Sequence, residues 1–229
     1  MRAKQLKNIT FILTTVVASA FFNACGPVIT FSETQPTGVV NLKEFPSVLK
    51  GTFINKEDSS KLFITDKMAV YSGKVTKTVL KKAVDTLDGV RYDKDKIYGL
   101  ERLYKGPISY KLVGKDSLTY SVTTTDTIFK IERKNYLRNL NQAYYLNKQL
   151  YKTSWRVTQL KYDKDGNLIV GDVSERNDLP KLVQMKAVQE VKSDSGDVLM
   201  YRVHLRKGQF KKFIKNNGFS DTKEYTKIK

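Results

Sequence analysis

Cysteine and histidine, the side chains that most often carry nucleophilic, redox and zinc chemistry, occur once each in the 229 residues, as Cys25 and His204. One cysteine excludes an intrachain disulfide, and one of each excludes a Cys/His zinc cluster and leaves His204 as the sole base for any nucleophile–His triad. His204 lies in Tyr201-Arg-Val-His-Leu205, inside a predicted strand. No spacing gives it convergent partners, so it reads as an ordinary strand histidine facing solvent or a neighbouring carboxylate. Asp163-Lys-Asp-Gly-Asn167 has the first two carboxylates of a calcium loop, but its twelfth position is Ser174 and its flanks read as strands, so a hairpin turn is expected. Asp93-Lys-Asp-Lys96 and Asp194-Ser-Gly-Asp197 are turn-like in the same way. Gly-rich phosphate loops, G-x-S-x-G elbows and H-E-x-x-H are absent. The sequence therefore nominates no catalytic residue, no metal ligand and no cofactor, and the chain is not expected to be an enzyme. Only a carboxylate pair, whose spacing shows in three dimensions, stays open to glycoside chemistry.

Cys25 gains meaning from what precedes it. Met1–Lys7 carries Arg2, Lys4 and Lys7 and no acid, and the fourteen residues Ile9–Phe22 carry no charge. A positive start followed by an apolar run too short to span a ~30 Å hydrocarbon core is the pattern of a signal peptide. Two cleavage routes are written there. Ala18-Ser-Ala20 would release a soluble protein, whereas Phe22-Asn-Ala-Cys25-Gly26 resembles the lipobox of bacterial lipoproteins, with Phe22 where Leu is usual and Asn23 where a small residue is usual. That resemblance implies cleavage after Ala24 and lipidation of Cys25. An unpaired thiol in an oxidising compartment is a liability, which also favours a covalent use for the only cysteine. Several acyl chains at ~0.8 kcal/mol per buried methylene hold such an anchor in place.

The chain has 41 Lys and Arg against 23 Asp and Glu, a net charge of +18. Loss of residues 1–24 removes three of the cations and leaves 38 against 23, or +15. The densest cluster in the C-terminal part includes Arg206, Lys207, Lys211, Lys212 and Lys215, with the last three opposite Phe210, Phe213 and Ile214 on a predicted helix. This face is a candidate contact for anionic lipid head groups or glycans, each cation contributing ~1 kcal/mol near such a surface; as a solvated helix face it would do nothing. An extracytoplasmic address and scattered lysines argue against nucleic acid.

The elements behind these residues are expected to be strands. Short apolar or alternating runs recur between turn signals, as in Gly51–Asn55, Lys61–Thr65, Met68–Ser72, Ile97–Leu100, Ile108–Val113, Ser117–Val122 and Thr127–Glu132. They resume at Ala143–Asn147, Ser154–Tyr162, Asn167–Asp172, Met185–Lys192 and Val198–Leu205. Val75–Val84 suits a helix or a strand. Gly208–Asn217 is the one expected helix, with Gly218 as its left-handed cap, and Tyr225–Ile228 a last edge strand. Residues 25–46, with Pro27, Pro36 and Pro46, read as an acylated cysteine on a flexible tether. Phe53-Ile-Asn-Lys56 and Tyr145-Leu-Asn-Lys148 echo one another 92 residues apart. The expected organisation is thus a signal peptide over 1–24, a first β-unit over 47–135 and a second over 143–229 with the helix. The fold class is mainly β: antiparallel strands in two small sheet or barrel-like units. The many tyrosines, Tyr110, Tyr120, Tyr144, Tyr145, Tyr162 and Tyr201 among them, are expected as sheet core with hydroxyls at the rim.

Phe45-Pro46, Leu49-Lys-Gly-Thr-Phe-Ile-Asn55, Thr125-Asp-Thr-Ile-Phe129, Tyr136-Leu-Arg138 and Tyr144-Tyr-Leu-Asn147 resemble uncharacterised lipoproteins of Bacteroidota. The resemblance implies an outer-membrane lipoprotein of a Gram-negative cell with β-rich domains and supplies no activity. Function is expected to be that of a lipid-anchored envelope protein, a non-catalytic binding or structural module. A carrier of a lipid or other hydrophobic ligand and an envelope-glycan hydrolase are the alternatives.

Overall fold

The computed structural model describes residues 28–84, 89, 91–93, 96–99 and 108–228; Cys25 and the signal segment lie outside them. The chain is mainly β, with antiparallel strands and few helices. A central sheet contains β1 (Val28–Phe31), β2 (Asn41–Leu42), β10 (Asn135–Leu140), β11 (Ala143–Tyr151), β12 (Ser154–Tyr162), β13 (Leu168–Asp172), β14 (Val188–Lys192) and β15 (Val198–Val203). A second sheet contains β3 (Gly51–Ile54), β4 (Lys61–Ile64), β5 (Met68–Leu80), β8 (Ile108–Val113) and β9 (Ser117–Lys130). β16 (Asp221–Ile228) joins them: its first five residues pair with β13 and its last three with β3. The combined sheet is open rather than barrel-like. A small hairpin, β6 (Arg91–Asp93) with β7 (Lys96–Tyr98), forms a separate two-stranded sheet that packs on β8 and β9 through Ile97. The helices are α1 (Lys81–Val84), α2 (Leu179–Gln184) and α3 (Lys207–Lys215).

Strand alternation places two cores on opposite faces of β11 and β12. Leu146 and Leu160 point into a core shared with Phe45, Phe53, Leu62 and Phe129 of the second sheet. Tyr145 and Val157 point into the other, closed by Phe210, Phe213 and Phe219 from α3 and the segment after it, and by Leu182 of α2. The strand at 154–162 is therefore covered on both faces. The strands of the second sheet all fall within residues 51–130, but they share the first core and the β16 ladder with the central sheet. Single strands replace two expected breaks: β5 runs through the ambiguous stretch as far as Leu80, and β9 spans 117–130 without interruption.

Two expectations are corrected. The segment assigned to a flexible tether is structured from Val28 onward. β1 lies between β15 and β12, and Thr30, Phe31, Gln35 and Phe45 are all buried. Proline and glycine content suggested a linker, but a four-residue strand is too short to show a period. What holds the rest is distant in sequence: Asn147 Oδ1 accepts from Gln35 N at 2.5 Å and Asn147 Nδ2 donates to Gln35 O at 2.7 Å. Arg138 donates to Thr34 O and Pro36 O at 2.8 and 2.9 Å. The second correction concerns the end of α3. The left-handed residue there is Asn217, at φ 53°. Gly218 serves close approach instead, since a Cβ on it would sit 2.5 Å from the Phe213 ring. The chain then enters Phe219, whose ring stands 5.4–6.3 Å from those of Phe31, Tyr145, Phe210 and Phe213.

Candidate functional site

The basic face expected of the C-terminal helix is present. α3 buries Phe210 and Phe213 and half-buries Ile214, and Arg206, Lys207, Lys211, Lys212 and Lys215 are all exposed. Lys207, Lys211 and Lys215 follow one another at four-residue spacing along one side. Among the described residues none of the five takes part in an ion pair. Arg206 lies just before the helix, where its N–H donates to Gln209 Oε1 at 3.1 Å. The cluster is thus an array of solvated cations held by an aromatic core beneath it.

Near the start of α3 the surface dips into a depression of about 760 Å³, lined by Ser32, Glu33, Thr37, Lys186, Gln209 and the stretch 204–208. His204 stands here, exposed and one residue beyond the end of β15, with its N–H donating to Ala187 O at 2.7 Å. The sequence placed this histidine within a strand; it sits instead at the lip of the depression.

A second feature arises from a fork in the central sheet. One edge of β12 pairs with β1 only at Trp155, opposite Phe31, and with β13 only from Gln159 onward. Between those points, at Arg156–Thr158, the ladder is interrupted and a cavity of about 400 Å³ opens, lined by Val28, Ile29, Val157, Val173, Glu175 and Asp221 among others. A neighbouring cavity of about 230 Å³ lies between the two sheets, against Ile128, Phe129, Leu146 and Val170. Leu150, Arg156 and Asp172 border both. Arg156 places a guanidinium nitrogen 2.6 Å from Asp172 Oδ2, and Thr158 Oγ1 donates to Asp172 Oδ1, also at 2.6 Å. The hydrogen bond to Asp172 raises the Arg156 pKa above its ordinary value, against the effect of burial. Carboxylates thus converge at the fork, but Asp172 is already committed to Arg156 and Thr158. Sequence reasoning missed this site. Alternation along β12 marked Arg156 and Thr158 as sharing the Leu160 face, but only the pairing shows that β1 and β13 divide that edge.

The remaining sequence candidates take structural roles. Asp163 Oδ1 accepts from Asp165 N at 2.9 Å and Asn167 N at 2.8 Å, closing the β12–β13 hairpin as expected. The Asn167 backbone bond holds its carboxyl below the usual range. Asp178, fully buried at the start of α2 and unremarked in the sequence, accepts from Ser174 N, Ser220 N and Lys181 Nζ at 2.8–2.9 Å, fastening α2 to the segment before β16. No known protein family, curated protein or solved structure matches the chain.

Proposed function

We propose that this is a lipid-anchored protein of the bacterial cell envelope, held through Cys25 and acting as a non-catalytic binding module. The observation that carries the reading is the junction of signal and domain. A positive start, a short apolar run and the only cysteine are followed, after Gly26 and Pro27, by a strand built into the central sheet at Val28. The described residues beyond the acyl site are then mostly one framework of sheet and covering helices. Its surface toward a polyanionic partner is the exposed set Arg206, Lys207, Lys211, Lys212 and Lys215. Metabolic labelling with palmitate tests the anchor. Wild type is expected to be labelled and Cys25→Ser unlabelled; a labelled mutant, or an unlabelled wild type beginning at Phe21, would refute it.

The fork favours a second reading, the carriage of a small hydrophobic ligand. Two adjoining cavities lined by Val28, Ile29, Val157, Val173, Ile128 and Leu146 offer apolar walls with the Arg156–Asp172 pair between them and Glu175, Asp221 and Lys148 on their margins, a mixture found in ligand pockets. Native mass spectrometry of protein purified from its own host checks this, and a spectrum of bare protein counts against it.

A further inference from the structure

Strand direction limits how far the cations can lie from the acyl site. β1 and β15 run parallel, Val28 level with Met200 and Phe31 level with Val203. Cys25 is three residues from Val28, so its Cα lies within about 11 Å of the start of β1 at no more than ~3.6 Å per residue. β1 carries the chain about 10 Å further, at ~3.3 Å per residue. At that far end β1 continues into Ser32 and Glu33, and β15 into His204, Arg206 and Lys207, which together with Lys186 line the 760 Å³ depression. Lys186, Arg206 and Lys207 are exposed, and among the described residues none has an ion-pair partner. The near end is acidic by comparison. Glu175, Asp221 and the Arg156-paired Asp172 gather around the fork along Val28–Phe31, and Asp194 and Asp197 occupy the β14–β15 turn, against Glu33 alone in the depression.

We propose that the depression binds an acidic oligosaccharide on the side of the protein turned away from the anchoring bilayer. The inference rests on the lipid anchor proposed above. Where residues 25–28 extend in line with β1 the separation is about 20 Å, more than twice the ~8 Å screening length at physiological salt, and the bilayer that holds Cys25 then attracts these cations weakly and leaves them to another polyanion. The lining selects among polyanions. Ser32, Thr37 and Gln209 supply hydroxyl and amide groups for sugar hydroxyls, and Lys186, Arg206 and Lys207 supply cations for carboxylate or sulfate groups. Among its lining residues His204 alone has an aromatic ring, short of the successive platforms that single-stranded bases stack on, and Leu205 is the only large apolar residue, so neither a single-stranded nucleic acid nor an acyl chain fits as well.

The test uses full-length protein, purified from membranes in detergent and then inserted into neutral phosphatidylcholine liposomes. Fluorescent heparin fragments and polygalacturonate are expected to float with these liposomes and to be released as salt rises. The double variant Lys186→Glu with Lys207→Glu, at two exposed positions, is expected to float normally and bind at least about tenfold more weakly. An unchanged affinity in that variant would overturn the site. Binding in detergent that disappears on liposomes would place the depression against the bilayer and overturn the orientation. Clustering of added phosphatidylglycerol vesicles without uptake of either polysaccharide would assign the depression to lipid instead. Protein that never floats refutes the anchor itself, and the detergent measurement then still reads the depression.

Discussion

The segments Phe53-Ile-Asn-Lys56 and Tyr145-Leu-Asn-Lys148 begin alike and end in different work. Phe53 and Tyr145 are both fully buried, Phe53 in the core between the two sheets and Tyr145 in the core under the helices. Asn55 stands just beyond its strand, and its Oδ1 accepts from Glu57 N and Asp58 N at 2.8 and 3.1 Å, closing the turn to β4. Asn147 stands inside its strand and spends its amide on Gln35, 112 residues away in sequence. One asparagine organises four consecutive residues, the other fastens the N-terminal segment to the sheet. A side chain's role follows from which backbone groups lie unpaired beside it, and that depends on the strand's neighbours.

This contrast can be pressed by mutation. Removing the aromatic rings should cost most, about 3–5 kcal/mol for Phe53→Ala or Tyr145→Ala. Tyr145→Ala should lie at the upper end, because Gln159 Nε2 also loses its acceptor at 3.1 Å. Denaturant midpoints measure both, and a larger loss for Phe53→Ala would break the comparison. Asn147→Ala comes next. It leaves the buried N–H and C=O of Gln35 without partners, at ~1–3 kcal/mol each, and should speed hydrogen exchange at Gln35 and proteolysis in residues 33–44. Unchanged exchange there would mean that Arg138, the Gln35 side chain on Leu205 O and the β2–β10 pairing suffice to hold the segment.

A third effect depends on pH. Burial pushes the Tyr145 hydroxyl up to about 12 from an ordinary 10. The phenol is thus kept protonated in the folded protein over a range where the unfolded chain releases its proton. Its contribution is present in full below pH 10 and is lost as pH rises to about 12, roughly 2–3 kcal/mol in all. Burial raises Tyr162 and Tyr225 as well, in the same direction. Tyr145→Phe should flatten the alkaline end of the stability profile, and a profile as steep as that of wild type would contradict this origin. Asn55→Ala should have the smallest effect, about 0.5–1.5 kcal/mol, because water can take over its turn donors. If it matched Asn147→Ala, the distinction between a local and a long-range asparagine would fall.

Much of the β-architecture was legible in the sequence. Alternation at Ser154–Tyr162 and Ala143–Asn147, turn dipeptides at Asp165-Gly166 and Ser195-Gly196, and aromatic spacing at Phe210 and Phe213 each act within a few residues. The basic helix face was legible for the same reason, since residues four apart on a helix must lie side by side. Less legible were the elements whose stabilising partners are remote. β1 has four residues and no visible period, yet it is held on one side by β15, about 170 residues later. The fork at Arg156–Thr158 exists because β1 and β13 divide one edge of β12, and no property of β12 alone reveals which strand lies beside which half.

The sequence by itself determined that strands would dominate, that one amphipathic helix would form near the C-terminus, that the cations would outnumber the acids, and that Cys25 would be the only thiol. Each depends on residue type and near spacing, which the chain carries wherever it folds. Tertiary structure alone decided that residues 28–46 belong to the body, that two aromatic cores share β11 and β12, and that the fork runs along β1 while the depression lies beyond its end. Those outcomes depend on contacts between residues more than a hundred positions apart, and they form only when burial of the shared cores offsets the entropy of bringing such distant segments together.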